Sequence, residues 1–385
     1  MKALRNFVDK IKPNFEKGGK LHFLRSVFDG FDAFLFVPNH ITKKGSHIRD
    51  VIDLKRTMTV VVIAVIPALL FGMFNVGLQH YLVQTEYSSY TWQNIVPVVG
   101  FWNIFFFGFL KVLPLIIVSY VVALGVEFTF AQLKGHTIHE GALVTGMLIP
   151  LIVPADIPLW MLALATLFAI IFGKEVFGGT GMNIVNPALL TRAFLFFAYP
   201  AHMSGDEVWI VDKPDVISGA TPLALAAGGE SANLPSVTDM FLGFIPGSVG
   251  ETSTLLILLG AIFLLVTGIG SARIMLSVFA GGLGMGLLFN LFGANDYMQL
   301  PAYYHLIMGG FAFGAVFMAT DPVSAAQTPT GKIIYGLLIG IITVLIRVIN
   351  PAYPEGMMLA ILLMNVMAPL IDHYVIEAHI KKKIK

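Results

Sequence analysis

Ten apolar blocks set the limits on what this chain can fold into. They run approximately over residues 57–74, 104–130, 141–154, 158–173, 183–200, 253–269, 274–292, 303–319, 333–349 and 356–371. A straight bilayer crossing takes about 20 apolar residues, and several blocks are shorter than that. Pro and Gly at their ends predict broken or half-length helices. Only 12% of the residues are charged, against about 25% in soluble domains. The pattern predicts an all-α integral membrane protein whose first partner is the lipid bilayer. No short apolar run with a small-residue cleavage site stands at the N-terminus, so no removable signal peptide is expected.

Charge orients the blocks. Alternating through ten crossings from an internal N-terminus puts 20 of the 24 Lys and Arg residues inside. These are the 12 before residue 57, then Lys134, Lys174, Arg273 and Lys332, and four after Ile380. Only Lys213 falls in an external segment, while Lys111, Arg192 and Arg347 fall within blocks. Such sorting is what the positive-inside rule demands. It predicts two cytoplasmic termini and an external loop over 202–250. The expected divisions are a basic segment 1–56, five crossings over 57–201, the loop 202–250, five crossings over 251–375, and a basic tail 376–385. A net charge of +1 argues against a nucleic-acid partner.

The two halves echo each other. Asn186-Pro187-Ala188 recurs as Asn350-Pro351-Ala352, and Asp156 before Ile157-Pro158 resembles Asp321 before Pro322. With five crossings per half, the second copy must be inverted. Inverted repeats place functional sites near the midplane, between discontinuous helices. The plainer alternative is ordinary Asn-Pro and Asp-Pro punctuation of helices; the near-equal Asp-to-Asn intervals favour the repeat.

Ionisable groups inside a membrane default to functional hypotheses. Glu127, Glu140, Asp321 and Asp372 all fall at the cytoplasmic boundary, where hard oxygen ligands suit entry of a small cation; simple interfacial solvation is the alternative for each. Arg192 and Arg347 either pin broken helices or serve function. Phe313 and Phe317, one turn apart, are packing residues or an apolar constriction that gates by dewetting. Gly178-Gly179-Thr180-Gly181-Met182-Asn183, leading to Asn186, is either close helix packing or a turn whose amides approach a ring or phosphate. Gly281-Gly282-Leu283-Gly284-Met285-Gly286 reads as helix packing. No dinucleotide or P-loop fingerprint occurs, and the ten His residues show no metal spacing.

The external loop carries Asp206, Glu207, Asp212, Asp215, Glu230 and Asp239 against one Lys, and within it stands Ser218-Gly219-Ala220-Thr221. Small residues there present one unhindered hydroxyl that another enzyme could esterify; the alternative is a plain turn. The chain has no Cys, which excludes disulfides, thiolate-held iron–sulfur clusters, thioether haem and cysteinyl flavin. A redox group would be non-covalent or attached through another side chain such as Thr221.

These segments together resemble the membrane component designated B of the Na+-translocating NADH:quinone oxidoreductases (Na+-NQR). The likeness rests on Gly18-Gly19-Lys20, Ser46-His47-Ile48-Arg49-Asp50, Asp53-Leu54-Lys55-Arg56, KEVFGGTG from Lys174 and RAFLFFAYP from Arg192. It continues through SGAT, IPGSVG from Ile245, GGFAFGAVFMATDPVS from Gly309 and RVINPAYPEGMM from Arg347. The resemblance implies two inverted five-helix repeats in a urea-transporter-like fold. It implies FMN attached by a flavin transferase through a phosphoester to Thr221, within the signal from Asp215 through Ser218, Gly219 and Ala220. That signal usually carries Gly after the Asp, where this chain has Val216. The resemblance further implies riboflavin near Asn183 and Asn186, and a Na+ pathway touching Asp29, Glu127, Asp321, Asp372, Phe313 and Phe317. Ubiquinone would be reduced near the cytoplasmic surface. Ala123 and Leu124 stand where some members have a Gly pair linked to the quinone site, leaving Glu140 and Gly141 as candidates. The component designated D of the ion-translocating ferredoxin:NAD oxidoreductases shares SGAT, but the basic segment 1–56 favours the quinone reductase. A non-redox channel of the same fold is the reading from another class.

Overall fold

A computed structural model describes residues 2–16, 18–36, 54–84, 86, 90–134, 141–206, 208–212, 214, 219–350 and 353–384. Glu140, Asp215 and Ser218 lie outside the described residues. Every regular element among those described is helical. That outcome follows from the solvent, since in lipid each backbone N–H and C=O must be satisfied within its own segment.

Two short helices, α1 (Lys2–Ile11) and α2 (Arg25–Leu35), occupy the basic N-terminal segment. An Arg5–Asp32 ion pair at 3.0 Å and stacked Phe15 and Phe28 rings hold them together. Asp29 falls on α2; its side chain is outside what the structure describes. The first half then runs through α3 (Leu54–Leu82), a short α4 (Trp92–Val99), α5 (Phe101–Lys134), α6 (Gly141–Leu151), α7 (Leu159–Ile170) and α8 (Pro187–Ala198). α7 passes directly into a π turn over Ile171–Glu175. The intervening loop contributes α9 (Pro222–Ala227) and α10 (Val237–Leu242). The second half follows as α11 (Thr254–Val266), α12 (Ala272–Phe292), α13 (Asp296–Gln299), α14 (Tyr304–Ile307), α15 (Phe311–Phe313), α16 (Pro329–Ile349) and α17 (Met357–Ile384). A second π turn, Gly314–Met318, continues α15.

Among the described residues, five helices are long and apolar enough to cross a membrane: α3, α5, α12, α16 and α17. α6, α8 and α11 are shorter and apolar, the half-length helices that the short blocks predict. Three blocks differ in extent from the sequence reading. The first continues as helix to Leu82, taking Gly72 and Gly77 within it, and the last to Ile384, taking Pro369 within it. The eighth, 303–319, is split at Met308–Gly310, where Gly309 takes a φ of +60° that ends a right-handed helix.

α3 lies on α11 and α8 on α17, so the first and last members of the two halves pair like with like. The repeated aspartates sit at opposite ends of the bundle. The charges acting on Asp156 come from Lys111, Asp212 and His202, and burial pushes its carboxyl above the ordinary value. Asp321 instead lies beside Asn186 and is felt by Lys174. An inverted duplication requires this exchange of ends. Lys111 also moves relative to the sequence reading. It falls within a block, but α5 is 34 residues long and carries Lys111 to the acidic loop, where it pairs with Asp212 at 2.8 Å. One apolar core joins both halves, including Val65, Leu148, Ile152, Ile257, Phe311 and Val316. The glycine run of α12 serves packing. A Cβ on Gly282 would meet the Phe311 ring at 2.5 Å, and one on Gly281 would strike the Leu337 carbonyl of α16.

Candidate functional site

Two groups of clefts open at opposite ends of the bundle. The basic end carries Lys134, Lys174, Arg273 and Lys332, and its cleft encloses about 790 Å³ including the open mouth. Its lining brings Asn183, Asn186, Asp321, Phe317 and Gly141 together, with Lys174, Thr145 and Thr180 beside them and Val61, Leu148 and Leu264 as apolar wall. Both π turns deliver a residue here, Lys174 from the first and Phe317 from the second. They are not repeat mates, since one follows Asp156 and the other precedes Asp321. π turns in α-helices occur frequently at functional sites.

Asn183, Asn186 and Asp321 each make local hydrogen bonds. Asn186 caps α8: its side-chain oxygen accepts from the N–H groups of Ala188 (2.9 Å) and Leu189 (3.3 Å). Pro187 at the first helical position has no N–H and so needs no acceptor there. The Asn186 amide nitrogen points to Asp321 Oδ2 at 3.4 Å. Asn183 donates to the Val185 carbonyl at 3.1 Å, folding the glycine-rich turn back on itself. Asp321 accepts from Val323 N–H (3.1 Å) and the Ser324 hydroxyl (2.9 Å), which closes the turn after the second π segment.

The other carboxylates are also engaged. Glu127, on α5, forms an ion pair with Lys174 in which the side chains are only 5% and 4% exposed respectively. It stands behind the cleft wall, not in it. Asp372, on α17, accepts from the N–H groups of Gln327 (2.6 Å) and Thr328 (3.0 Å) and from the Thr328 hydroxyl (2.5 Å). It ties α17 to the N-terminus of α16 and is half-buried at the basic end. Phe313 and Phe317 are brought into contact, with ring centroids 5.0 Å apart. Both are buried beneath the cleft floor or in it.

At the acidic end Thr221 lines two neighbouring clefts of about 370 and 500 Å³, which share Trp209, Leu223 and Glu355. Thr221 is the N-cap of α9, its Oγ1 accepting from Ala224 N–H at 3.3 Å. Gly219 lets the chain reach this position: its N–H donates to the Asp206 carbonyl, and a Cβ there would lie 2.6 Å from that oxygen. In the walls of these clefts lies a buried charge cluster, in which the two arginines named from the sequence meet Glu251 and Glu355, two carboxylates that sequence reasoning missed. Arg192 Nη1 contacts Glu251 Oε1 at 2.5 Å and Nη2 lies 3.6 Å from Glu355 Oε2. Arg347 donates to the carbonyls of His305 (2.6 Å), Met308 (3.1 Å) and Glu355 (2.8 Å). Arg347 therefore pins the broken eighth block, and Arg192 finds carboxylates from the second half. Lys174 is a further residue that sequence reasoning missed, since by charge sorting alone it is an internal loop charge. The usable signal is stoichiometric: buried Arg and Lys residues require acidic partners.

Residues 41–381 match the model of the NQR2, RnfD, RnfE family. A relative from Chromohalobacter salexigens, named as the B component of a Na(+)-translocating NADH-quinone reductase, is 48% identical, covering 100% of this chain and 96% of its own length. Proteins of the same name from Ectopseudomonas mendocina and Azotobacter vinelandii are 48% and 47% identical, each over 99% of both chains. The matches take in both clefts and both repeats, and on that extent the chain belongs to the NQR2, RnfD, RnfE family.

Proposed function

We propose that this chain is the membrane subunit of a redox-driven Na+ pump, an NADH:ubiquinone reductase assembled with further subunits in a bacterial inner membrane. The observation that carries this reading is the pair of polar cleft sites at opposite ends of one inverted-repeat bundle. Relatives matched over their full length, named as the B component of the Na(+)-translocating quinone reductase, support it over the ferredoxin-linked paralogue. NADH would bind another subunit, since the dinucleotide fingerprint is lacking here. The basic end would face the cytoplasm and the acidic loop the periplasm.

FMN esterified to Thr221 by a flavin transferase and riboflavin held near Asn183 and Asn186 would supply electron transfer across the bundle to ubiquinone. The residues fit both groups. The α9 cap uses a lone pair of Thr221 Oγ1, so replacing the hydroxyl hydrogen by a phosphoryl group leaves the cap acceptor in place. At the basic end, the lining combines apolar Val61, Leu148, Leu264 and Phe317 with polar groups of Asn183, Thr145 and Thr180, a composition suited to a ring with one polar edge. Asp321 in that cleft, with Phe313 and Phe317 below it, would receive Na+ and close its path; Asp29, Glu127 and Asp372 would serve entry. Gly141 on the cleft wall, with Glu140, is the candidate contact for quinone. Moving one charge against 100 mV costs about 2.3 kcal/mol, so cation passage has to be tied to electron passage.

The test is direct. Purified complex from a host with the flavin transferase is denatured, run on a gel and viewed under ultraviolet light. A fluorescent band at the position of this chain, absent in Thr221→Leu, is expected. No band in the unmutated protein removes the covalent reading of Thr221.

A further inference from the structure

We propose that Lys174 is the electrostatic control of the redox ring in the basic-end cleft, and that Glu127 holds it in partial check from behind. The proposal rests on the reading of that cleft as a flavin site. Lys174 occupies the π turn Ile171–Glu175, which turns its side chain out of α-helical register and into the wall between the cleft and α5. One side of its ammonium meets Glu127, which does not line the cleft. The other side reaches the cleft face beside Gly141 and Thr180. A Cβ built on Gly141 would come within 3.2 Å of Lys174 Nζ and of Thr180 Oγ1, so the missing side chain leaves the ammonium room at the cleft surface. The backbone of the π turn is itself anchored, because Lys134 donates to the Glu175 carbonyl at 2.8 Å.

A positive charge beside a flavin stabilises the reduced ring relative to the oxidised one, and charge near the ring nitrogens is a principal lever on its potential. A carboxylate on the far side of that charge weakens its field at the ring. The two partners therefore act with opposite sign. A merely structural ion pair has no such asymmetry, since losing either member would loosen the same packing.

The experiment is a spectroelectrochemical titration of the flavins in purified complex carrying Lys174→Gln, Glu127→Gln, Lys174→Arg or both neutral substitutions together. A Thr221→Asn preparation identifies the non-covalent component. Lys174→Gln should move its midpoint potential negative and Glu127→Gln positive. Lys174→Gln should shift the reduced-to-oxidised ratio at fixed potential about tenfold, which is about 30 mV for a two-electron couple, and Glu127→Gln, which lies farther from the ring, should shift it less. Lys174→Arg should stay near the unmutated value. The double variant, which leaves no unpaired buried charge, should lie between the unmutated protein and Lys174→Gln. If single variants fail to assemble, Lys174→Arg and the double variant decide the matter. Bound flavin with unmoved potentials, or shifts of the same sign in both single variants, overturns the proposal while leaving the cleft reading intact. Thr145→Trp, which fills the cleft, separates the two: undiminished non-covalent flavin there overturns the location of the ring and this inference with it.

Discussion

Thr221 combines two roles that single substitutions separate. As N-cap of α9 it supplies an acceptor to Ala224 N–H, and replacing such a cap by an apolar residue costs about 1 kcal/mol. As an attachment point it supplies a hydroxyl. Asn is as good a cap as Thr but has no hydroxyl to esterify, so Thr221→Asn should keep the unmutated thermal stability and lose the fluorescent band. Loss of stability equal to that of Thr221→Leu would mean the cap geometry is misassigned. Thr221 is legible in the sequence because SGAT is a contiguous motif in a segment whose charge marks it as a loop. Glu251, Glu355 and Lys174 are not. Each is a single charged residue whose partner lies far along the chain: 59 residues separate Arg192 from Glu251, and 47 separate Glu127 from Lys174. No local spacing encodes such pairs.

At the scale of elements, hydropathy reveals where chain is buried in lipid but not how it bends there. Apolar blocks anticipate the helices α3, α5, α12, α16 and α17. The two π turns leave no trace in the pattern, because a π turn shifts register by one residue without changing composition. The split of the eighth block is half-legible. Gly309-Gly310 marks a weak point, yet only the arrival of Arg347 makes the break tolerable by covering carbonyls that α14 leaves without helical donors. Arg347 is fully buried, and its guanidinium spreads over three carbonyls as a planar fork can and an ammonium cannot. Arg347→Lys should therefore destabilise the protein by about 1–3 kcal/mol for each carbonyl left without a donor. A clear drop in the thermal midpoint of the purified complex is expected, and a midpoint equal to that of the unmutated complex would show that the break does not depend on the fork.

For the whole molecule, inversion is the property from which the division of sites follows. Asp156 and Asp321 occupy matching places in the sequence pattern yet lie among different groups, Lys111, Asp212 and His202 for the first and Lys174, Ser324 and Asn186 for the second. The same duplication that places Asn186 at the basic cleft thus carries its counterpart segment after Asn350 to the acidic clefts, where Tyr353 and Glu355 line the space around Thr221. The proposed orientation, which rests on charge sorting by the positive-inside rule, puts the basic end in the cytoplasm. Because the chain contains no Cys, each introduced Cys reports alone. Asn233→Cys, exposed in the acidic loop, should react with a membrane-impermeant maleimide added outside intact spheroplasts. Thr330→Cys, exposed at the start of α16, should react only after the membrane is opened. The reverse labelling would turn the molecule over and put Thr221 on the cytoplasmic side. Labelling of both from outside would break the inverted count itself, since the two positions are separated by α11, α12 and the broken α14–α15 segment, an odd number of crossings.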